Sequence, residues 1–139
     1  FSDAETLVAG DNGTGKTTVF DSFLWLLFGK DSTGRSDSNF NIKTLDADGK
    51  PILHLEHSVT GVLSVDGKTV TLQRCSVENW VKPRGTTEES LKNHATEFYL
   101  NGVKLATKKE YDSEVAAIIP EDVFRMITNP FYFTSFWIW

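Results

Sequence analysis

The period of hydrophobic and polar positions changes three times along this chain. "TLVAG" (6–10) is a short apolar run closing on glycine, which predicts a short buried strand entering a turn. From Lys16 to Phe28 the pattern turns helical. Val19, Phe20, Phe23, Leu24 and Leu27 recur at three- and four-residue spacings and predict one inward face. Trp25 projects away from that stripe, so a second covered side is expected. Gly29 stands where the left-handed residue after a helix belongs. "DSTGRSDSN" (31–39) reads as a polar loop.

The period then drops towards two. "ILHLEHSV" (52–59), "GVLSV" (61–65) and "TVTLQRCSV" (69–77) alternate imperfectly, with Asp66-Gly67 between the last two. Asn101-Gly102 joins "TEFYL" to "VKLA", and Asp48-Gly49 is a third turn signal. An antiparallel sheet of hairpins is expected. "KPRGTTEESLKN" (82–93) interrupts it, and the Thr86/Glu89 spacing there predicts a short helix. Thr107 and Glu110 have the same capping spacing, and Tyr111, Val115 and Ile118 follow as a helix face. Pro120 ends that helix and opens another, with Glu121 and Asp122 in its first turn and Val123, Phe124 and Ile127 inward. Pro130 closes the segment.

Composition narrows the classes. At 139 residues with 40% hydrophobic positions, the chain can build a real core. A net charge of −5 disfavours a strongly basic nucleic-acid surface while leaving room for a local basic groove. No apolar run approaches the ~20 residues of a membrane span, so no membrane partner is expected. The single cysteine, Cys75, suits a reducing compartment, and a cytoplasmic location is expected. The apolar ending "FYFTSFWIW" carries no cap or breaker and reads as an element cut in mid-course, so a fragment of a longer chain is expected.

The chemistry concentrates in "GDNGTGKTT" (10–18). Gly10, Gly15, Lys16 and Thr17 satisfy G-x-x-x-x-G-K-[ST]. A polyanion such as a triphosphate is held by backbone N–H groups pointing into a tight loop, which needs glycines free to take positive φ. The following helix adds its unsatisfied N-terminal amides and the positive end of its dipole. Lys16 can reach the β- and γ-phosphates, and the Thr17 hydroxyl can ligate Mg2+.

"GDNGTGKTTVFDSFLWLLFG" resembles the G-x-N-G-x-G-K-[ST] loop and first helix of SMC-type ATPases, the ABC-like heads of chromosome-maintenance, recombination and break-repair proteins. Asn12 and Gly13 mark this form of the loop, and Asp11 departs from it where proline is frequent. The whole chain looks most like the N-terminal part of SMC-like ATPases carried by phages and prophages. The resemblance implies an α/β P-loop NTPase fold: an ABC/SMC-type head lobe with a Walker A strand-loop-helix (1–30), a hairpin-rich antiparallel β region (31–106) and C-terminal short helices (107–139). It implies that Asn12, Gly13, Thr14, Gly15, Lys16, Thr17 and Thr18 wrap ATP, with Thr17 on Mg2+. A second head and DNA are the partners implied for the full-length protein.

Other parts of such a head are not legible. "AAIIPED" (116–122) imitates a Walker B strand, but Pro120 breaks the run before the carboxylates and helical spacing explains it better. No signature motif or heptad stretch is found, and "NPFYFTSFW" offers no glutamine for a Q-loop. Weak nucleotide binding at best, without turnover, is the expectation for this chain alone. His54 and His57 read as strand positions rather than metal ligands, His94 as solvated and Cys75 as packed. The aromatics Phe131, Tyr132, Phe133, Phe136, Trp137 and Trp139 read as core or interface rather than a base-stacking platform. Two alternatives remain: a P-loop kinase of a nucleotide or small metabolite, which the hairpins disfavour, and a non-catalytic module that retains the loop.

Overall fold

The computed structural model describes residues 7–36, 42–85 and 88–128. Two compact units divide the chain, Phe1–Asn41 and Ile42–Trp139.

The first unit is built on helix α1, Lys16–Phe28, with the bounds that the periodicity predicts. Gly29 ends it in the left-handed region at φ 67°, and its N–H donates to the Trp25 carbonyl at 2.9 Å. Burial differs from the expected stripe. Leu24, Trp25, Leu26 and Leu27 are all buried, whereas Val19 and Phe20 are 50% and 42% exposed. Four consecutive apolar residues spread over about 300° of a helix's circumference, so burial here follows position along the axis rather than one face. The strand expected at "TLVAG" is also corrected: Leu7–Gly10 form no ladder and are exposed, and Thr6 lies outside the described residues. An extended segment becomes a strand only when a neighbour satisfies its backbone. Among the described residues the four strands pair only with one another.

After α1 the chain turns on Asp31, which is buried. Its Oδ1 accepts from Thr33 N (3.0 Å), Thr33 Oγ1 (2.8 Å) and Arg35 N (2.8 Å), and its Oδ2 from Arg35 Nε (2.6 Å). Burial opposes ionisation, but the Thr33 and Arg35 hydrogen bonds and the Arg35 charge outweigh it and hold the carboxyl at about 2.

The second unit carries a four-stranded antiparallel sheet in sequential order: β1 (His57–Val65), β2 (Lys68–Val81), β3 (Ser90–Leu100) and β4 (Val103–Lys104). Two of the predicted turns close hairpins. Asp66 and Gly67 have φ 50° and 75°, and Asn101 and Gly102 have φ 50° and 80°, the paired positive values that match strand twist. Asn101 is also tied across to β2, donating to Thr71 O at 2.8 Å while its Oδ1 accepts from Thr71 N at 2.9 Å. Asp48-Gly49 turns as well, but only an isolated Leu45–Pro51 bridge flanks it.

Two expectations in this region fail. Ile52–Glu56 are not strand, and His54 sits at φ 61°. The His54 N–H donates to Glu78 Oε2 (2.9 Å) and its ring stacks on Trp80 at 4.0 Å, so contacts to distant residues set this backbone. The helix expected within 82–93 is absent where it can be seen. Ser90 pairs with Val81, and the β2–β3 ladder claims the backbone of Ser90–Asn93; Thr86 lies outside the described residues.

Helix α2, Lys108–Ile118, begins at the predicted capping box. Glu110 N donates to Thr107 Oγ1 (3.2 Å) and Thr107 N to Glu110 Oε2 (3.3 Å). Buried Tyr111 and Val115 lie on α2, which packs on β3. The Phe98 and Tyr111 rings meet at 5.0 Å, and the buried Arg74 guanidinium lies 5.0 Å from the first centroid and 5.3 Å from the second. Burial pushes the Tyr111 phenol up to about 12 against the pull of Arg74. Helix α3, Glu121–Thr128, buries Phe124, but Val123 and Ile127 are exposed, contrary to expectation. Among the described residues, cover reaches only the Phe124 side of this short helix.

Glu78 is a second carboxylate hub. Hydrogen bonds from Lys43, the His54 amide and Trp80 Nε1 outweigh its burial and lower it to about 2. Asp31 and Glu78 are both ionised more readily in the fold than their ordinary 3.8 and 4.5. Their contributions to stability are therefore complete above those ordinary values and are lost as pH falls from them towards about 2. The melting temperature is expected to drop across that window, and Glu78→Gln is expected to flatten the drop. A wild-type melting temperature constant through the window would contradict both assignments.

Candidate functional site

The glycine loop meets α1 through two residues in the left-handed region, Gly13 at φ 83° and Gly15 at φ 89°. A Cβ at either position would touch nothing within 4 Å. Backbone conformation rather than crowding therefore calls for glycine there, and the space beside both residues is open. Gly10 is different, because a Cβ there would stand 2.8 Å from Thr14 Oγ1. That hydroxyl is engaged, donating to the Asp11 carbonyl at 2.7 Å, with Thr14 N at 3.4 Å from the same oxygen.

Lys16 reaches back across the loop. Its Nζ donates to the carbonyls of Gly10 and Asp11, each at 2.6 Å, so one ammonium ties the start of the loop to the start of the helix. Gly15 is the N-cap and carries no side chain to cap the helix. The first backbone bond runs from Val19 N to Gly15 O at 3.1 Å. Among the described residues, the N–H groups of Gly15, Lys16, Thr17 and Thr18 have no acceptor, and neither does Gly13 N–H. These donors, the helix dipole and the Lys16 charge place positive potential at one surface point. The Thr17 side chain is exposed and makes no hydrogen bond among the described residues.

All seven predicted site residues thus fall on one short loop and the first turn of α1. Sequence reading missed the part played by Asp11, whose carbonyl accepts from both Lys16 and Thr14. A main-chain acceptor leaves no side-chain signature, so nothing in the sequence could have marked it.

The other candidates lie apart from this chemistry. His57 opens β1, and its Nε2 lies 3.1 Å from both Thr44 N and Thr44 Oγ1. His94, expected to be solvated, belongs to β3 and is half-exposed, 3.9 Å from Glu78 Oε1. Cys75 is buried in β2, and burial first, then the nearby Glu56 and Glu97 carboxylates, push its thiol up. Among the described residues no group of three His, Cys, Asp or Glu side chains is placed to hold a metal. Ala116–Ile118 end α2 while Glu121 and Asp122 open α3, so "AAIIPED" is no strand. The aromatics from Phe131 to Trp139, and Pro130, lie outside the described residues.

A family model described as AAA domain matches residues 1–129. The chain belongs to the AAA domain family. No curated protein and no solved structure matches it. Membership supports a P-loop ATPase in general terms, a family that uses ATP and Mg2+. Among the described residues its α/β build is an antiparallel four-stranded sheet with three helices. Among the described residues no helix of the AAA domain is long and apolar enough to cross a membrane.

Proposed function

We propose that this AAA domain is the ATP-binding lobe of an SMC-like ATPase that serves DNA repair, recombination or phage DNA metabolism in the cytoplasm. The observation that carries the reading is the set of acceptor-free amides from Gly15 to Thr18 beside the Lys16 ammonium. A triphosphate suits that donor set: it brings anionic acceptors to groups that have none, and the open space beside Gly13 and Gly15 leaves its path clear. In this reading Asn12 to Thr18 wrap the phosphates and Lys16 turns from the loop carbonyls towards the β- and γ-oxygens. The Thr17 hydroxyl is the protein ligand to Mg2+, which supplies charge neutralisation when bound. Hydrogen bonds to charged groups contribute about 1.5–3 kcal/mol each, so a handful makes a useful site.

Two features favour the SMC-like reading over a small-molecule kinase. The loop has the Asn12-Gly13 form, and sequential antiparallel hairpins occupy the chain after α1 and its polar loop. A second head and DNA are the partners proposed for the full-length protein. Turnover is not assigned to this chain, which offers no recognisable Walker B strand.

The reading is tested by melting the protein with and without Mg-ATP. At a ligand concentration 100-fold above Kd the folded state should gain about 2.7 kcal/mol. A melting temperature that ignores Mg-ATP at millimolar levels would leave a non-catalytic module that merely retains the loop.

A further inference from the structure

The loop carries a charge that its proposed task does not call for. Asp11 is exposed, and among the described residues its carboxylate has no hydrogen bond or ion pair. Its own main-chain oxygen is 2.6 Å from Lys16 Nζ and 2.7 Å from Thr14 Oγ1. The carboxylate therefore belongs to the residue whose carbonyl anchors the Lys16 ammonium, in the loop that leads to the acceptor-free amides. An anion bound at those amides would share the loop with a like charge that no side chain pairs among the described residues.

We propose that Asp11 is a specificity-determining residue that makes the loop favour magnesium-bound nucleotide over the metal-free form. The inference rests on the nucleotide reading of the loop and adds a selectivity to it. Repulsion between the carboxylate and a polyphosphate grows with the charge of the polyphosphate. Metal-free ATP presents its full charge and is penalised most. Magnesium offsets part of that charge, so the complex is penalised less. The carboxylate also offers the hydrated cation a neighbouring negative group, whereas free nucleotide gains nothing from it. Asp11 lies on the surface, so the effect should be modest and sensitive to salt.

The test compares the wild-type chain with Asp11→Asn by titrating ATP in excess EDTA and ATP in excess Mg2+, at low and high salt. Asn keeps the size of the side chain and removes its charge. Metal-free ATP is expected to bind Asp11→Asn about threefold more tightly than wild type at low salt, with a smaller change for Mg-ATP. The difference should shrink at high salt, and Asp11→Glu should behave as wild type. Equal changes for the two forms, or a change indifferent to salt, would mean that Asp11 acts through loop shape, and the proposal would fail. No change in either form would also overturn it. Binding of ATP by neither protein, in either form, would instead remove the nucleotide reading from which the inference starts.

Discussion

Lys16→Ala is expected to lose nucleotide binding, by at least about 100-fold in affinity, while the fold persists. The size follows from the charge-assisted bonds that one ammonium makes to phosphate oxygens, each about twice as strong as a neutral bond. Persistence of the fold follows from location. The Lys16 contacts are to the carbonyls of Gly10 and Asp11, inside an exposed loop, and the buried part of α1 begins at Leu24. Calorimetric titration with Mg-ATP, beside circular dichroism of the unliganded protein, checks both halves. A mutant that bound Mg-ATP as well as wild type would remove Lys16 from the site. In the full-length protein, ATP hydrolysis by the mutant at the parent rate would do the same.

Tyr111→Ala is expected to be the most destabilising single change in the second unit, at about 3–5 kcal/mol. Tyr111 is fully buried, and its ring touches Phe98 and faces the Arg74 guanidinium. Truncation leaves a cavity and also strips a buried cation of one of its two aromatic faces, so both penalties fall on one site. Tyr111→Phe keeps the ring and loses only the hydroxyl, and should cost about 1 kcal/mol. Urea denaturation followed by Trp fluorescence would measure both. An Ala variant within about 1 kcal/mol of wild type would show that the sheet and α2 do not depend on this contact.

The parts of this architecture legible in the sequence are those set by neighbouring residues. The bounds of α1 follow from periodicity and from Gly29; the hairpins follow from Asp66-Gly67 and Asn101-Gly102; the start of α2 follows from Thr107 and Glu110. What escaped was decided at a distance. His54 breaks an alternating pattern because Glu78 and Trp80, more than 20 residues later, take its amide and its ring. Arg74, which the strand pattern does not single out, is buried, shares a sheet face with Leu72 and stands opposite Phe98. Burial on α1 and α3 was misplaced because periodicity says which residues share a face, not which stretch of a helix finds cover.

The candidate site divides in the same way. The positive-φ glycines and the cationic and hydroxyl side chains could be named from residue type and spacing. The anchoring of Lys16 on two carbonyls could not, since main-chain acceptors carry no residue label. Asp11, by sequence no more than a departure from a family pattern, gains a role only once that anchoring is known.

Amide chemical shifts during an ATP titration with Mg2+ test the central claim most directly. Binding should move the N–H resonances of Gly13, Gly15, Lys16, Thr17 and Thr18 together, along one saturating curve, because those donors acquire phosphate acceptors. Lys16→Ala should hold them still under the same conditions. Saturable shifts confined to the second unit, with the five loop amides unmoved, would contradict the account.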